Sequence, residues 1–207
     1  MGHDKSLKKM KLTRPEKNRK LRRILIVCEG EKTEPNYFRK FQADQEVYDS
    51  IDVHGTGYNT VSLINEAIRI KNEAVQKREP YSEIWCVFDK DDFSIEAFEY
   101  AIRLAGQNQI NCAYSIEAFE IWYMLHFNYY DSALSRRQYK EKLSELLKKP
   151  YLKNDTEMYS LLKGRRKKAI QNAKRLYNIQ CLLPLKDQNP ITTVFKLVEQ
   201  LIDAVSA

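Results

Sequence analysis

The chain has 207 residues, of which 43% are hydrophobic and 30% charged, an ordinary balance for a globular protein with one sizeable core. No apolar run approaches the roughly 18 residues of a membrane span, and the basic N-terminus lacks the apolar segment of a signal peptide, so we expect a cytoplasmic protein. The net charge of +7 is uneven, because residues 1–23 and 136–175 are strongly basic and the rest of the chain is acidic.

The first half of the chain predicts alternating strands and helices. Residues 1–22 have no hydrophobic period and contain Pro15, which favours a basic flexible arm. The predicted strands span residues 24–28, 50–55, 83–88 and 110–115. The predicted helices between them span residues 35–45, 61–77 and 94–105. This alternation is typical of an α/β fold with a parallel sheet and helices on both faces.

The second half predicts helices. The segment EAFEIWYMLHF, 117–127, is apolar at nearly every position that is not Glu or His, which favours a helix packed into the core. Further helices are predicted at residues 136–148, 155–163, 165–178 and 191–205. We therefore expect an α/β core over 24–127 and a helical C-terminal part over 128–207 packed on it, as one structural domain.

The four cysteines do not indicate a zinc site. None of Cys28, Cys86, Cys112 and Cys181 forms a C-x-x-C pair. Three of them fall in predicted strands, so buried free thiols in a reducing compartment are the expected state.

Acidic residues follow two of the buried strands at the point where each strand ends. ILIVC is followed by Glu29, Gly30 and Glu31, with Glu34 three residues on, and EIWCVF is followed by Asp89 and Asp91. Ligands of parallel sheets bind at the carboxyl ends of the strands. If the two strands are neighbours, Glu29, Asp89 and Asp91 converge and repel one another unless a cation neutralises them. Oxygen ligands of this kind favour Mg²⁺ or Mn²⁺.

Other interpretations of these acids remain open. Glu29 could pair with Lys32 or cap the next helix, and Asp89 and Asp91 could belong to an acidic turn before the 94–105 helix. The D-x-D turn also resembles that of phosphotransferases in which the first Asp is a nucleophile. Those enzymes usually carry this turn on their first strand, whereas here an earlier strand already carries Glu29.

Glu120 and His126 lie on the apolar 117–127 helix. A buried glutamate costs several kcal/mol unless it is paired or bound to a metal, so Glu120 is a candidate acid or ligand of the same site. For His126 we favour a core histidine with satisfied hydrogen bonds over a site role.

Basic residues near these acids predict contacts with a nucleic acid. Lys32 precedes a helix whose N-terminus suits a phosphate, although GEKTEP lacks the spacing of a P-loop. The densest cluster comprises Lys163, Arg165, Arg166, Lys167 and Lys168, which could hold a nucleic-acid backbone while Tyr151 and Tyr159 stack on an unpaired base. The alternative is a solvated basic helix face.

Several motifs carry a resemblance to known families. An apolar strand followed by EG, and a later one followed by D-x-D, resembles the Toprim domain of topoisomerases, primases and some nucleases. More specifically, ILIVCEGEKTEPNYF, VFDKDDF, FEIWYMLHF and NPITTVFKLVEQL together resemble the RloB family, in matching order over nearly the whole chain. One departure is SIEAFE, 115–120, where the family pattern has SNP-x-FE.

The resemblance implies a function. In Toprim enzymes the strand-end glutamate acts in acid–base chemistry, here Glu29, and the D-x-D aspartates hold Mg²⁺, here Asp89 and Asp91. RloB-like proteins are associated with restriction loci and phage defence, often beside an ATPase. The implied activity is a metal-dependent nuclease acting in abortive infection, with nucleic acid and an ATPase as partners and a homodimer as one assembly to test. The alternative is a non-catalytic module that binds nucleic acid or the ATPase.

Overall fold

The computed structural model describes residues 22–44, 50–90 and 94–203. The predicted N-terminal arm and Asp91 therefore lie outside the described residues. The strands are β1 (Arg23–Cys28), β2 (Ser50–Gly55), β3 (Glu83–Asp89), β4 (Asn111–Ile116) and β5 (Ile191–Thr192). The helices are α1 (Thr33–Asp44), α2 (Thr60–Gln76), α3 (Ile95–Gln107), α4 (Glu120–Leu125), α5 (Arg136–Leu147), α6 (Met158–Leu162), α7 (Arg166–Gln180) and α8 (Val194–Asp203).

The described strands form one sheet in the order β2-β1-β3-β4-β5, in which only β5 is antiparallel. The chain leaves β1 towards β2 at one edge and returns to β3 on the other side of β1. The connections that follow β1 and β3 therefore run towards opposite edges of the sheet, which creates a crevice between the carboxyl ends of these two strands. The predicted α/β class with a mostly parallel sheet is confirmed.

The two faces of the sheet have separate cores. Alternate residues of β1 point to opposite faces, as the two-residue period of a strand requires. Ile24 and Ile26 pack with α1 and the C-terminal helices, whereas Leu25 and Val27 pack with α2 and α3. Because α1 covers one face and α2 and α3 the other, helices lie on both sides of the sheet, as the continuous apolar strands predicted.

The C-terminal prediction needs one correction. Residues 191–205 were expected to be a single helix, but Ile191 and Thr192 pair with Ile116 and Ser115 as an antiparallel edge strand before α8 begins. The Oγ atoms of Ser115 and Thr192 are 3.0 Å apart in the core. The β-branched pair therefore extends the sheet, because burial against β4 outweighs the local helical pattern.

Other boundaries shift by a few residues. The expected 117–127 helix is shortened to α4, which begins at Glu120, and the expected 155–163 helix is shortened to α6. The peptide bonds Ile116–Glu117 and Asn189–Pro190 are cis. Asn59, rather than Thr60, caps α2 by accepting a hydrogen bond from the amide of Ser62 at 3.1 Å.

All four cysteines are free, with Cys28 and Cys86 buried and Cys181 exposed. No helix among the described residues is both long and apolar enough to cross a membrane.

Candidate functional site

The carboxyl ends of β1 and β3 bring Glu29 and Asp89 together. β1 pairs with β3 in parallel, so both strands end at the same edge of the sheet. The amide of Glu29 donates to the carbonyl of Val87 at 2.9 Å, which continues the sheet by one residue. The Oε2 atom of Glu29 accepts a hydrogen bond from the amide of Asp89 at 3.1 Å. The predicted convergence of these two residues is therefore confirmed.

Glu34, in the first turn of α1, adds a third carboxylate. Its side chain is buried and folds back over Gly30, whose amide and that of Glu34 itself donate hydrogen bonds to the carboxyl group. A Cβ atom at position 30 would lie 2.2 Å from Glu34 Oε2. Glycine is therefore required at this position for the carboxylate to occupy its place.

Glu120, the first residue of α4, adds a further carboxylate. It is buried, and its Oε1 atom accepts a hydrogen bond from the hydroxyl of Tyr151 at 3.0 Å. Lys153 Nζ lies 3.9 Å from the same oxygen. The turn 115–120, which departs from the family pattern, thus still delivers Glu120 to the strand ends.

The hydrogen-bonding capacity of the Asp89 carboxyl group is only partly satisfied. Its carboxyl group accepts a hydrogen bond from the amide of Phe119. Its Oδ1 atom is buried and has no hydrogen-bond partner among the described residues. A buried carboxylate oxygen without a donor is costly, which makes this atom a candidate ligand for a cation.

Three carboxyl groups of the cavity have a raised pKa. Burial raises the pKa of Glu29 to about 7, against a smaller opposing effect of the hydrogen bond from Asp89. Burial, and then the charge of Glu120, raises the pKa of Glu34 to about 7. The pKa of Asp89 is raised well above its ordinary value, first by burial and then by the charges of Glu34 and Glu120. The cluster therefore holds protons at neutral pH unless a cation compensates its charge.

These side chains surround a cavity of about 400 Å³ with a mixed electrostatic character. Five acidic residues line it, namely Glu29, Glu31, Glu34, Asp89 and Glu120. Lys32, Arg136 and Lys153 line it as well. An arrangement of acids beside cations suits a ligand that combines a metal ion with a phosphate group.

The structure brings together four of the ten residues predicted for the site, and their roles stay predictions. Glu29, Asp89, Glu120 and Lys32 all line the cavity. Asp91 lies outside the described residues. The sequence interpretation left Glu34 out of the predicted site, although its spacing after Glu29 was noted. It also missed Arg136 and Lys153, for which the basic character of 136–175 was the only signal.

The predicted basic cluster lies elsewhere. Among the described residues that line the carboxylate cavity, none comes from 163–168. Arg165 stacks on the ring of Phe127, 4.7 Å from its centroid, and Lys168 donates a hydrogen bond to the carbonyl of Phe127. Arg166 is half-buried, with its guanidinium 4.5 Å from the ring centroid of Phe41. Nucleic-acid binding by Lys163, Arg165, Arg166, Lys167 and Lys168 remains a prediction.

The predicted stacking of Tyr151 and Tyr159 on an unpaired base is wrong. Tyr151 and Tyr159 cannot stack on an unpaired base, because both rings are buried in the core. Tyr151 instead holds Glu120, and Tyr159 packs on Phe41 at 4.9 Å between centroids.

His126 is a core residue, as predicted. Its Nδ1 atom lies 2.9 Å from the carbonyl of Trp122, and burial lowers its pKa to about 4. Its Nε2 atom has no hydrogen-bond partner among the described residues. The expectation of satisfied hydrogen bonds therefore holds for only one of the two ring nitrogens.

The donor set fits a hard divalent cation that keeps part of its water shell. No group of three or more described His, Cys, Asp or Glu side chains is arranged to hold a metal ion by itself. Mg²⁺ usually binds to one or two carboxylates and retains several waters. Asp89, through its unpartnered Oδ1, and Glu29 or Glu34 would supply such ligands.

The fold and the cavity define an α/β protein with a carboxylate cluster at the crevice of a mostly parallel sheet. A family model described as RloB-like protein matches residues 24–201. The chain therefore belongs to the RloB-like protein family. No curated protein and no solved structure matches the chain.

Proposed function

We propose that this protein is a Toprim-type, metal-dependent nuclease that cleaves phosphodiester bonds of DNA or RNA. The observation that carries the proposal is the convergence of Glu29 and Asp89, with Glu34 and Glu120, around the unpartnered Oδ1 atom of Asp89. Several partly or fully buried carboxyl groups in one cavity are costly for a protein that uses them only for structure. Their place at the crevice of the sheet is where ligands of such folds bind.

Each side chain has a role in this proposal. Asp89 and Glu29 would hold Mg²⁺ or Mn²⁺, which when bound polarises the phosphate and lowers the pKa of a coordinated water. In the metal-free protein burial raises the pKa of Glu29 to about 7, so this carboxyl group would release a proton when it takes up the metal at neutral pH. Lys32, Arg136 and Lys153 orient the anionic backbone at the edge of the cavity. Glu34 and Glu120 keep the cavity acidic and complete its walls.

The biological setting is proposed from the family resemblance. A nuclease in a restriction locus needs restraint until infection, and a partner ATPase would supply that control. We therefore propose that the protein acts in phage defence through abortive infection, together with an ATPase. An ATPase encoded in the neighbouring reading frame that copurifies with the protein, and loss of phage protection in an Asp89→Ala strain, would support this setting.

A non-catalytic module is the second candidate. It is favoured by the lack of a ready three-residue metal-ligand group among the described residues. In that case the cavity would bind nucleic acid or the ATPase without turnover.

The purified full-length protein tests the proposal directly. It is incubated with Mn²⁺ and a panel of single-stranded DNA, duplex DNA, total RNA and transfer RNA, and the ends of any products are mapped. We expect metal-dependent cleavage that Asp89→Ala reduces by about 100-fold or more, as for loss of a principal charge-stabilising group. The matched control is Asp187→Ala, an exposed aspartate in another part of the chain. Cleavage unchanged by Asp89→Ala would remove the proposed site, and binding without cleavage would favour the second candidate.

A further inference from the structure

A second pocket adjoins the carboxylate cavity and differs from it in charge. It has a volume of about 500 Å³ and shares Glu120, Arg136 and Lys153 with the cavity. Its other lining residues are Arg137, Lys140, Tyr151, Leu152 and Asn154. Because three residues belong to both, a ligand that fills the pocket extends directly into the cavity.

The pocket is strongly cationic. Arg136, Arg137 and Lys140 come from the first turns of α5, and Lys153 comes from the loop after it, and all four are exposed. The carboxyl group that lines the pocket is that of Glu120, whose Oε1 atom accepts a hydrogen bond from Tyr151 and lies 3.9 Å from Lys153 Nζ, so one carboxylate faces four cations. Arg137 Nε also lies 3.6 Å from Glu141 Oε1. An exposed ion pair of this kind is weak, so a phosphate can readily replace the carboxylate beside Arg137.

One wall of the pocket is apolar. Leu152 is 56% exposed, and it stands beside the buried ring of Tyr151. The flat face of a nucleobase or the carbon edge of a sugar would cover it. In a duplex the bases are stacked and paired, so this wall would remain uncovered. A strand whose bases are free to turn outward uses both the cations and the apolar wall.

The loop that forms this wall is fixed to its surroundings. The hydroxyl of Thr33 donates to the carbonyl of Lys153 at 2.9 Å, and the amide of Tyr151 donates to Ser144 Oγ at 3.0 Å. With the bond from Tyr151 to Glu120, the loop is tied to α1, α4 and α5. The pocket is therefore formed before a ligand arrives, which limits the entropy lost on binding.

We propose that this pocket binds an unstacked nucleotide of a single-stranded nucleic acid, next to the phosphodiester that enters the carboxylate cavity. Arg137 and Lys140 contact the phosphates on either side of this unstacked nucleotide, and Leu152 contacts the base of the same nucleotide. This inference rests on the proposed nuclease function for the role of the neighbouring cavity. It also places the main phosphate-binding surface on α5 rather than on residues 163–168.

Binding measured without metal tests the surface separately from catalysis. The anisotropy of fluorescent single-stranded and duplex oligonucleotides of equal length is recorded with the full-length protein in EDTA. We expect the single strand to bind at least tenfold more tightly than the duplex. Arg137→Ala/Lys140→Ala should weaken single-strand binding about tenfold or more and lower the salt-dependence slope by about 1.4, corresponding to two lost phosphate contacts. Leu152→Ser should weaken binding of the single strand and leave that of the duplex unchanged.

Two double variants remove the same charge elsewhere. Lys77→Ala/Lys186→Ala, at exposed positions that line neither pocket, should leave binding within about twofold, since only non-specific attraction is lost. Lys163→Ala/Lys167→Ala tests the basic cluster predicted from the sequence. If that variant, and not Arg137→Ala/Lys140→Ala, abolishes binding, or if the duplex binds as tightly as the single strand, the inference is wrong.

The two proposals fail in different ways. Loss of single-strand binding in Arg137→Ala/Lys140→Ala, with no cleavage of any substrate in Mn²⁺, would support the pocket and reject the nuclease. Metal-dependent cleavage that is unaffected in this variant would support the nuclease and reject the pocket. Circular dichroism and thermal unfolding of each variant confirm that it is folded.

Discussion

The amide of Asp89 donates a hydrogen bond to Glu29 Oε2, and the two residues are 60 positions apart in the chain. The bond joins the ends of two adjacent strands at the point where the connections of the sheet reverse. Both backbones are fixed there by the sheet, so the two carboxyl groups are held close together despite their repulsion. The carboxylate cluster is therefore built into the rigid part of the fold.

The cluster should make the metal-free protein less stable as the pH rises. Glu29 and Glu34 both have their pKa raised from 4.5 to about 7, so between these values the folded state binds more protons than the unfolded chain. The free energy of unfolding then falls with increasing pH over this window and levels off above it. Thermal unfolding in EDTA from pH 5 to pH 8 should show this decline. The melting temperature should fall by about 2–4 °C for each kcal/mol of unfolding free energy that is lost.

Two comparisons identify the cause of that decline. Mn²⁺ added at pH 8 should recover the lost stability, and Glu34→Gln should flatten the pH profile, because a neutral amide has no proton to lose. Glu99→Gln, at an exposed position on α3, serves as the control and should keep the wild-type slope. A wild-type melting temperature in EDTA that is constant or rises over this range would contradict the raised pKa values.

Gly30→Ala should disturb the site more than the fold. The added Cβ atom would lie 2.2 Å from Glu34 Oε2, and the end of that flexible side chain can move away at little cost. We expect metal affinity to fall about tenfold, as for loss of a supporting group around a metal. Calorimetric titration with Mn²⁺ measures the effect. Gly106→Ala is the control, since its Cβ would have no atom within 4 Å and the change should stabilise α3 by up to about 1 kcal/mol.

Tyr151→Phe should destabilise the protein by about 1–3 kcal/mol. The change removes the hydroxyl that donates to Glu120 and leaves a buried carboxyl oxygen with a weaker set of partners. Urea unfolding provides the measurement. Tyr129→Phe is the matched control, because the Tyr129 hydroxyl is buried without a hydrogen-bond partner in the described part of the chain. Equal effects of the two substitutions would show that the bond to Glu120 contributes nothing.

Arg166→Ala should act on stability through packing. The guanidinium lies 4.5 Å from the centroid of Phe41 and 5.0 Å from that of Tyr159, in a half-buried position. Loss of these contacts should cost about 1–2 kcal/mol. The adjacent exposed residue provides the comparison, since Lys167→Ala should change stability by less than about 0.5 kcal/mol. Thermal unfolding of both variants distinguishes a packing role for Arg166 from a purely surface role.

Much of the sheet and part of the site could be predicted from local pattern. The short, continuous apolar segments at 24–28 and 83–88 are typical of strands buried on both faces, and acids that follow such strands lie at their carboxyl ends. The edge strand Ile191–Thr192 could not be predicted, because two residues carry too little periodicity and their pairing depends on β4. Likewise, burial of Tyr151 and Tyr159 depends on helices distant in sequence.

The sequence by itself determined the alternation of strands and helices, the family and the pair of acids at Glu29 and Asp89, because each is written in contiguous residues. Only the tertiary structure decided that Glu34 folds over Gly30, that Tyr151 holds Glu120, and that Arg136 and Lys153 join two pockets. The physical reason is that these contacts join side chains from separate elements, whose meeting depends on how the helices pack on the sheet. Local propensity carries no information about such distances.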